Sequence, residues 1–202
     1  MKHSESKIVR SVLRNEVGLS WIPLLVKSFT RKRAVFNNSH WANLEGAESE
    51  FTKRLSFASA LYLELRNKLH KEKAFEIMRK ILLPVGCNEQ WKHLRTMENR
   101  ENPMENLMGF NDLMDKAGTP RFNTREYLKQ NDSVCHFVIT RCIFHDFFSE
   151  AGRPELTKLF CEIDRVFFPK AFPDFEFHRG NSWENTIAYG KDRCEFIFQR
   201  KR

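Results

Sequence analysis

The sequence predicts an α+β fold, read as a single domain over 1–202. A mainly helical part, residues 1–132, packs with a sheet-containing part, residues 133–202, whose sheet is antiparallel or mixed. Three observations predict it. Apolar residues recur at helical spacing through the first two thirds, as in Phe51, Leu55, Ala58, Leu61, Tyr62, Leu65 and Leu69. From about Ser133 the pattern changes to short apolar runs broken by Gly and Pro. Of the 19 phenylalanines, 12 follow residue 133, so the densest core belongs there.

Taken in order, Ser4 to Leu19 carries Ile8, Val12, Leu13 and Val17 at roughly helical spacing, with Gly18 suited to end it. A short apolar piece, Trp21 to Phe29, leads into a basic, polar loop. Glu48 to His70 is a strong amphipathic helix. Phe75, Ile77, Met78, Ile81 and Leu82 make another, stopped by Pro84 and Gly86, and Asn88 caps a further helix toward Arg100. Glu105 to Lys116 is helical and ends at Gly118 and Pro120, and Asn123 caps a short turn through Gln130. Val134 to Ile139 reads as a central strand interrupted by His136. A helix from Cys142 to Ala151 follows, then a break at Gly152-Arg153-Pro154 and a second helix to about Phe168. Three strand-like pieces close the chain, Phe175 to Arg179, Glu184 to Tyr189 and Arg193 to Gln199, the last two joined by a hairpin at Gly190-Lys191-Asp192. The order in this part is β-α-α-β-β-β.

Composition narrows the class. At 41% apolar and 30% charged the chain reads as soluble and globular rather than disordered. No apolar run approaches the length of a membrane span, and the first residues do not resemble a secretory signal, so a cytoplasmic location with no membrane partner is expected. Five cysteines, an odd number, do not read as a disulfide framework, which leaves free thiols, metal ligands or nucleophiles. The net charge of +8 raises a nucleic-acid partner, yet residues 1–133 hold 23 Lys and Arg against 16 Asp and Glu, whereas residues 134–202 hold 11 against 10. The cysteine-bearing part is nearly neutral, and Arg31-Lys32-Arg33 reads as solvated surface, which argues against nucleic acid. The oligomeric state leaves no sequence signal.

The reactive side chains have a pattern of their own. At about 100° per residue, Ile143, Phe144, Phe147 and Phe148 share one side of their helix, and Cys142, His145, Asp146 and Ser149 share the other. Cys142 falls in the first turn, where the helix dipole lowers a thiol pKa. On the next helix Cys161 and Asp164 are three apart and lie together on a flank. Alternation puts Cys194 with Phe196 and Phe198, facing the core. If both helices pack on that face, the three cysteines converge; each also has the bland reading of a buried, inert thiol. Cys87 and Cys135 read as structural, and His178, alternating with Phe175 and Phe177, as surface or pocket rim. No Gly-rich phosphate loop, G-x-S-x-G elbow or H-E-x-x-H is present.

One resemblance gathers these residues. Thr140-Arg141-Cys142, Phe147-Phe148, Gly152-Arg153-Pro154-Glu155-Leu156, Leu159-Phe160-Cys161, Asp164, Phe175-Glu176-Phe177-His178-Arg179 and Asp192-Arg193-Cys194-Glu195-Phe196 together resemble the L-2-amino-thiazoline-4-carboxylic acid hydrolase family over about residues 130–200. The resemblance implies a hydrolase that opens the ring of a small cyclic amidine-like carboxylate to N-carbamoyl-cysteine or a related product. Cys142 or Cys161 would attack as thiolate or orient an attacking water, with Asp164 as general base or acid. Arg141 would anchor the substrate carboxylate, and His145, His178 and Cys194 would line the substrate site. No cofactor is expected on that reading. A second reading is a zinc site of Cys142, Cys161 and Cys194 completed by His145 or Asp164. A third is a non-catalytic small-molecule binder on the same scaffold.

Overall fold

A computed structural model of the chain describes residues 3–201. The α+β fold expected from the sequence is the one the chain adopts. Its contacts divide into two compact units, one formed by the residues up to Val85 together with Phe147–Leu159, the other by Gly86–Asp146 together with the residues from Phe160 onward.

The first unit contains α1 (His3–Val17), α2 (Trp21–Asn37), α3 (Ala47–Arg66) and the first part of α4 (Lys71–Leu94). The expected loop after Phe29 is instead the second half of α2, which carries Arg31-Lys32-Arg33 on to Asn37. Pro23 stands in the first turn of this helix, where its missing N–H is no loss. Arg31 is not merely solvated, because its Nε lies 3.0 Å from the carboxylate of Glu64, whose side chain is only 6% exposed. Along α3 the small residues Ser56, Ser59 and Ala60 are buried, and the helix packs against α2. Phe147, Phe148, Leu156 and Leu159 are fully buried, and the Tyr62 hydroxyl donates to Glu155 at 3.1 Å.

The second unit holds the rest of α4, then α5 (Pro103–Ala117), and a four-stranded antiparallel sheet of β1 (Thr124–Gln130), β2 (Val134–Arg141), β3 (Phe175–His178) and β4 (Cys194–Arg200), in the order β1-β2-β4-β3. Between β2 and β3 run α6 (Ile143–Glu150) and α7 (Thr157–Ala171), so the chain reads β-β-α-α-β-β rather than β-α-α-β-β-β. Two segments account for the difference. The expected turn after Asn123 is the strand β1, which begins the sheet at Thr124. It is an edge strand, mostly exposed and bearing Arg125, Glu126 and Lys129, charges that discourage further pairing and also hide it from a search for apolar runs. The expected strand Glu184 to Tyr189 is a loop that ends in one 3-10 turn, Ile187–Tyr189, so the chain at Gly190 is no hairpin.

Helix α4 corrects a third expectation, since it runs unbroken past Pro84 and Gly86 to Leu94. Gly86 is needed for proximity rather than termination: a Cβ there would stand 2.1 Å from Cδ1 of Ile163 on α7. One sheet face gathers the aromatic core. Phe137 pairs with Phe196 and Cys135 with Phe198, and over them lie Phe167, Phe168 and Phe172 of α7 and its continuation, with Phe110 of α5. That packing fixes α7 against β4 and so sets the residues of the site.

Candidate active site

Each of the three thiols is placed by a different element. Cys142 is the N-cap of α6 rather than a residue of its first turn, since its carbonyl accepts the Asp146 N–H at 3.0 Å. The helical wheel therefore does not govern its direction, and Cys142 packs against the aromatic core instead of facing away from it. Its sulfur accepts the backbone N–H groups of His145 and Phe144, and the Asn123 side chain accepts that of Ile143 at 3.0 Å. Cys161 rises from α7 beside the Thr186 hydroxyl, at 3.9 Å, and Cys194 at the start of β4 accepts the Ile187 N–H at 3.2 Å. The loop expected as a strand thus supplies partners for two of the thiols.

Burial decides the protonation of all three. It pushes Cys142 up to about 12, outweighing the two N–H groups, and the neighbouring Cys194 and Cys161 add to the rise. The dipole-lowered thiol expected from sequence is thus reversed. Cys161 is likewise pushed up to about 12 by burial, against the opposing pull of Arg179, and Cys194 is raised for the same first reason. These are neutral thiols near pH 7. Cys135 and Cys87, also raised by burial, belong to the core and its margin.

Asp164 behaves differently. Its carboxylate receives a hydrogen bond from Arg179 at 2.9 Å and, more weakly, from Gln90 at 3.5 Å. Burial raises it while Arg179 and Gln90 draw it down, leaving it at about 6. A carboxyl at about 6 is poised to exchange a proton near neutrality. Arg179 is itself only 1% exposed. Its guanidinium donates to the Glu195 carbonyl at 2.9 Å and lies between the rings of Phe196 and Trp183, at 4.1 and 4.8 Å, while its Nε is buried without a hydrogen-bond partner.

The structure brings Cys142 near Cys161 and Cys194, and these two near Asp164, close enough for each to influence its neighbours. Arg141 lies outside this group, exposed and bound to Asp146 at 3.0 Å. His145 contributes its backbone N–H to Cys142. His178 accepts from the Gly180 N–H at 3.1 Å and lines a cleft of about 400 Å³ shared by Arg165, Phe177, Arg179, Asn181, Ser182 and Trp183. Neither this cleft nor a larger one of about 640 Å³, walled by Trp91, Leu94, Phe172 and Phe175, is lined by the thiols or by Asp164. Sequence reasoning missed Arg179, Gln90, Trp183 and Thr186. Arg179 had a usable signal, since it ends the F-E-F-H-R run that carries the resemblance.

Among the described residues no group of three or more His, Cys, Asp or Glu side chains is arranged to hold a metal ion. No described helix is long and apolar enough to cross a membrane.

Comparison with known proteins bears on the chemistry. The family model for L-2-amino-thiazoline-4-carboxylic acid hydrolase matches residues 49–198, a span that begins within α3, ends within β4 and includes the whole of the corner just described. No curated protein matches the chain. Among solved structures, the Fe(II) unliganded H-NOX protein from K. algicida aligns over 100% of this chain and 97% of its own, at 9% identity and a TM-score of 0.36. A mutant of the same protein aligns at 10% identity and a TM-score of 0.38. Likenesses this slight carry no argument about fold or ligand.

Proposed function

The chain belongs to the L-2-amino-thiazoline-4-carboxylic acid hydrolase family, and on that premise we propose that it is an enzyme opening an amino-thiazoline carboxylate, or a closely related cyclic amidine, to N-carbamoyl-cysteine or its analogue. The observation that supports this reading is a carboxyl, Asp164, held at about 6 beside a buried arginine and near the neutral thiols of Cys161 and Cys194. Ring opening needs a base that is ionised near neutrality and an acid for the departing sulfur, and one group with such a pKa serves for both.

Asp164 takes a proton from water as the water oxygen adds to the ring carbon between nitrogen and sulfur. The ring carbon–sulfur bond then breaks. One proton of water ends on the ring nitrogen, and the other passes through Asp164 to the departing sulfur, whose ordinary pKa near 8.5 accepts it readily. Direct attack by Cys161 would first require its proton to move from a group at about 12 to one at about 6. That transfer is steeply uphill, at about 1.4 kcal/mol per pKa unit. Cys142, Cys161 and Cys194 accordingly wall the reacting centre as thiols, excluding bulk water, and Arg179 keeps Asp164 oriented.

Incubating the purified chain with L-2-amino-thiazoline-4-carboxylate and following the product by mass spectrometry tests the reading. N-carbamoyl-cysteine should form, and Asp164→Asn should slow its formation by roughly 100-fold to 10,000-fold. Unaltered substrate in the presence of the folded native chain would overturn it.

A further inference from the structure

A hydrolase for a cyclic carboxylate must hold the carboxylate, and Arg141 is poorly placed to do so. It is exposed, engaged by Asp146, and lines neither of the clefts described above. The cleft of about 400 Å³ has the opposite character. Two guanidinium groups, Arg165 and Arg179, line it, and no carboxylate does among the described residues. Arg179 is matched by Asp164 on one side, yet its buried Nε has no partner. Arg165, next to Asp164 in the chain and exposed, rests over the Trp183 ring at 5.4 Å. Phe177 meets the same indole edge-on at 5.8 Å, which gives the cleft an apolar wall beside its cationic one. Its volume is near the lower end for small-molecule sites and suits a five-membered ring bearing one carboxylate.

We infer that this cleft is the substrate's anchoring subsite, with Arg165 taking the carboxylate and Trp183 and Phe177 covering the apolar edge of the ring. The inference rests on the ring-opening reading and deepens it. A guanidinium presents two parallel N–H groups to a carboxylate, a match that an exposed and otherwise uncommitted arginine can make on binding. Through Arg179 the cleft adjoins Asp164, so a ligand held by Arg165 lies one arginine away from the proposed base. The Asn185 side chain donates to the Arg179 carbonyl at 2.7 Å and to Asn181 at 3.0 Å, which fixes the loop that carries Trp183.

Binding and turnover by the full chain test this separately. Trp183 fluorescence is titrated with L-2-amino-thiazoline-4-carboxylate and with 2-amino-thiazoline, which lacks the carboxylate. The carboxylate ligand should change the signal, and Trp183→Phe should remove that change. Arg165→Gln should weaken the carboxylate ligand by about tenfold to a hundredfold, as expected for a lost charge-assisted pair, and leave 2-amino-thiazoline within about twofold. If Arg165→Gln binds both ligands as the native chain does, or if Arg141→Gln alone loses the preference for the carboxylate, the subsite is wrong. Carboxylate-dependent binding without any turnover would sustain the subsite and overturn the ring-opening reading. Undiminished turnover by Arg165→Gln at low substrate would do the reverse.

Discussion

Among the arginine–aspartate pairs of the second unit, two have nearly the same separation and opposite settings, Arg141 with Asp146 at 3.0 Å and Arg179 with Asp164 at 2.9 Å. The side chains of the first pair are 45% and 34% exposed, those of the second 1% and 18%. Distance is therefore not what separates them. In water the Coulomb attraction of an ion pair is nearly cancelled by solvation, and exposed pairs contribute about 0–1 kcal/mol. Under aromatic rings the same charges cannot be replaced by water, so each depends on the other, and the carboxyl of Asp164 moves toward neutrality while keeping its partner. The exposed pair is a surface feature of the turn at Thr140-Arg141-Cys142, and the buried pair is where a proton can be exchanged.

The largest break in this comparison is expected from Arg179→Met. It leaves a carboxylate in an apolar setting without a counter-charge, and urea unfolding should show a loss of about 3–5 kcal/mol. Adding Asp164→Leu to the same chain should restore most of it, because a buried pair replaced as a whole costs little. A smaller effect concerns acid. Asp164 holds its proton more tightly in the folded chain, at about 6 against an ordinary 3.8. Its contribution to stability is therefore full below about pH 4 and is lost as pH rises through about 6. Comparing native and Asp164→Asn stabilities at pH 4 and pH 7 measures it, and the native chain should lose stability relative to the variant on going up. Smallest of all, Arg141→Ala should change stability by at most about 1 kcal/mol in the same urea assay. A cost comparable to that of Arg179→Met would erase the distinction between the two pairs.

The sequence drew attention to the exposed pair, and the reason is physical. Local rules place Cys142 near a helix start, and a helix start lowers a thiol pKa, but neither rule contains the burial that reverses the outcome. Arg179 and Asp164 are fifteen residues apart and meet because the aromatic core sets α7 against β3 and β4, which no periodicity reports. Periodicity did find α3, α5, α7, β2 and β4, whose apolar faces are regular. It failed at β1, whose polar edge carries no apolar run, and at the loop 184–189. There an alternating pattern curls to bring Thr186 to Cys161 and Ile187 to Cys194. Gly86 misled in the same way, since a residue that locally reads as a helix stop is used for contact with Ile163. What the motifs did carry was the family, because T-R-C, F-C-x-x-D and C-E-F are read as a set and need no geometry.

The pH dependence of kcat/KM for ring opening by the native chain bears most directly on the central claim, that Asp164 rather than a thiolate moves the proton. The rate should climb about tenfold per pH unit at the acid end, level off above about pH 6, and stay flat to pH 9. A rate that continues to climb through pH 7 to 9, as one of the thiols ionises, would contradict it.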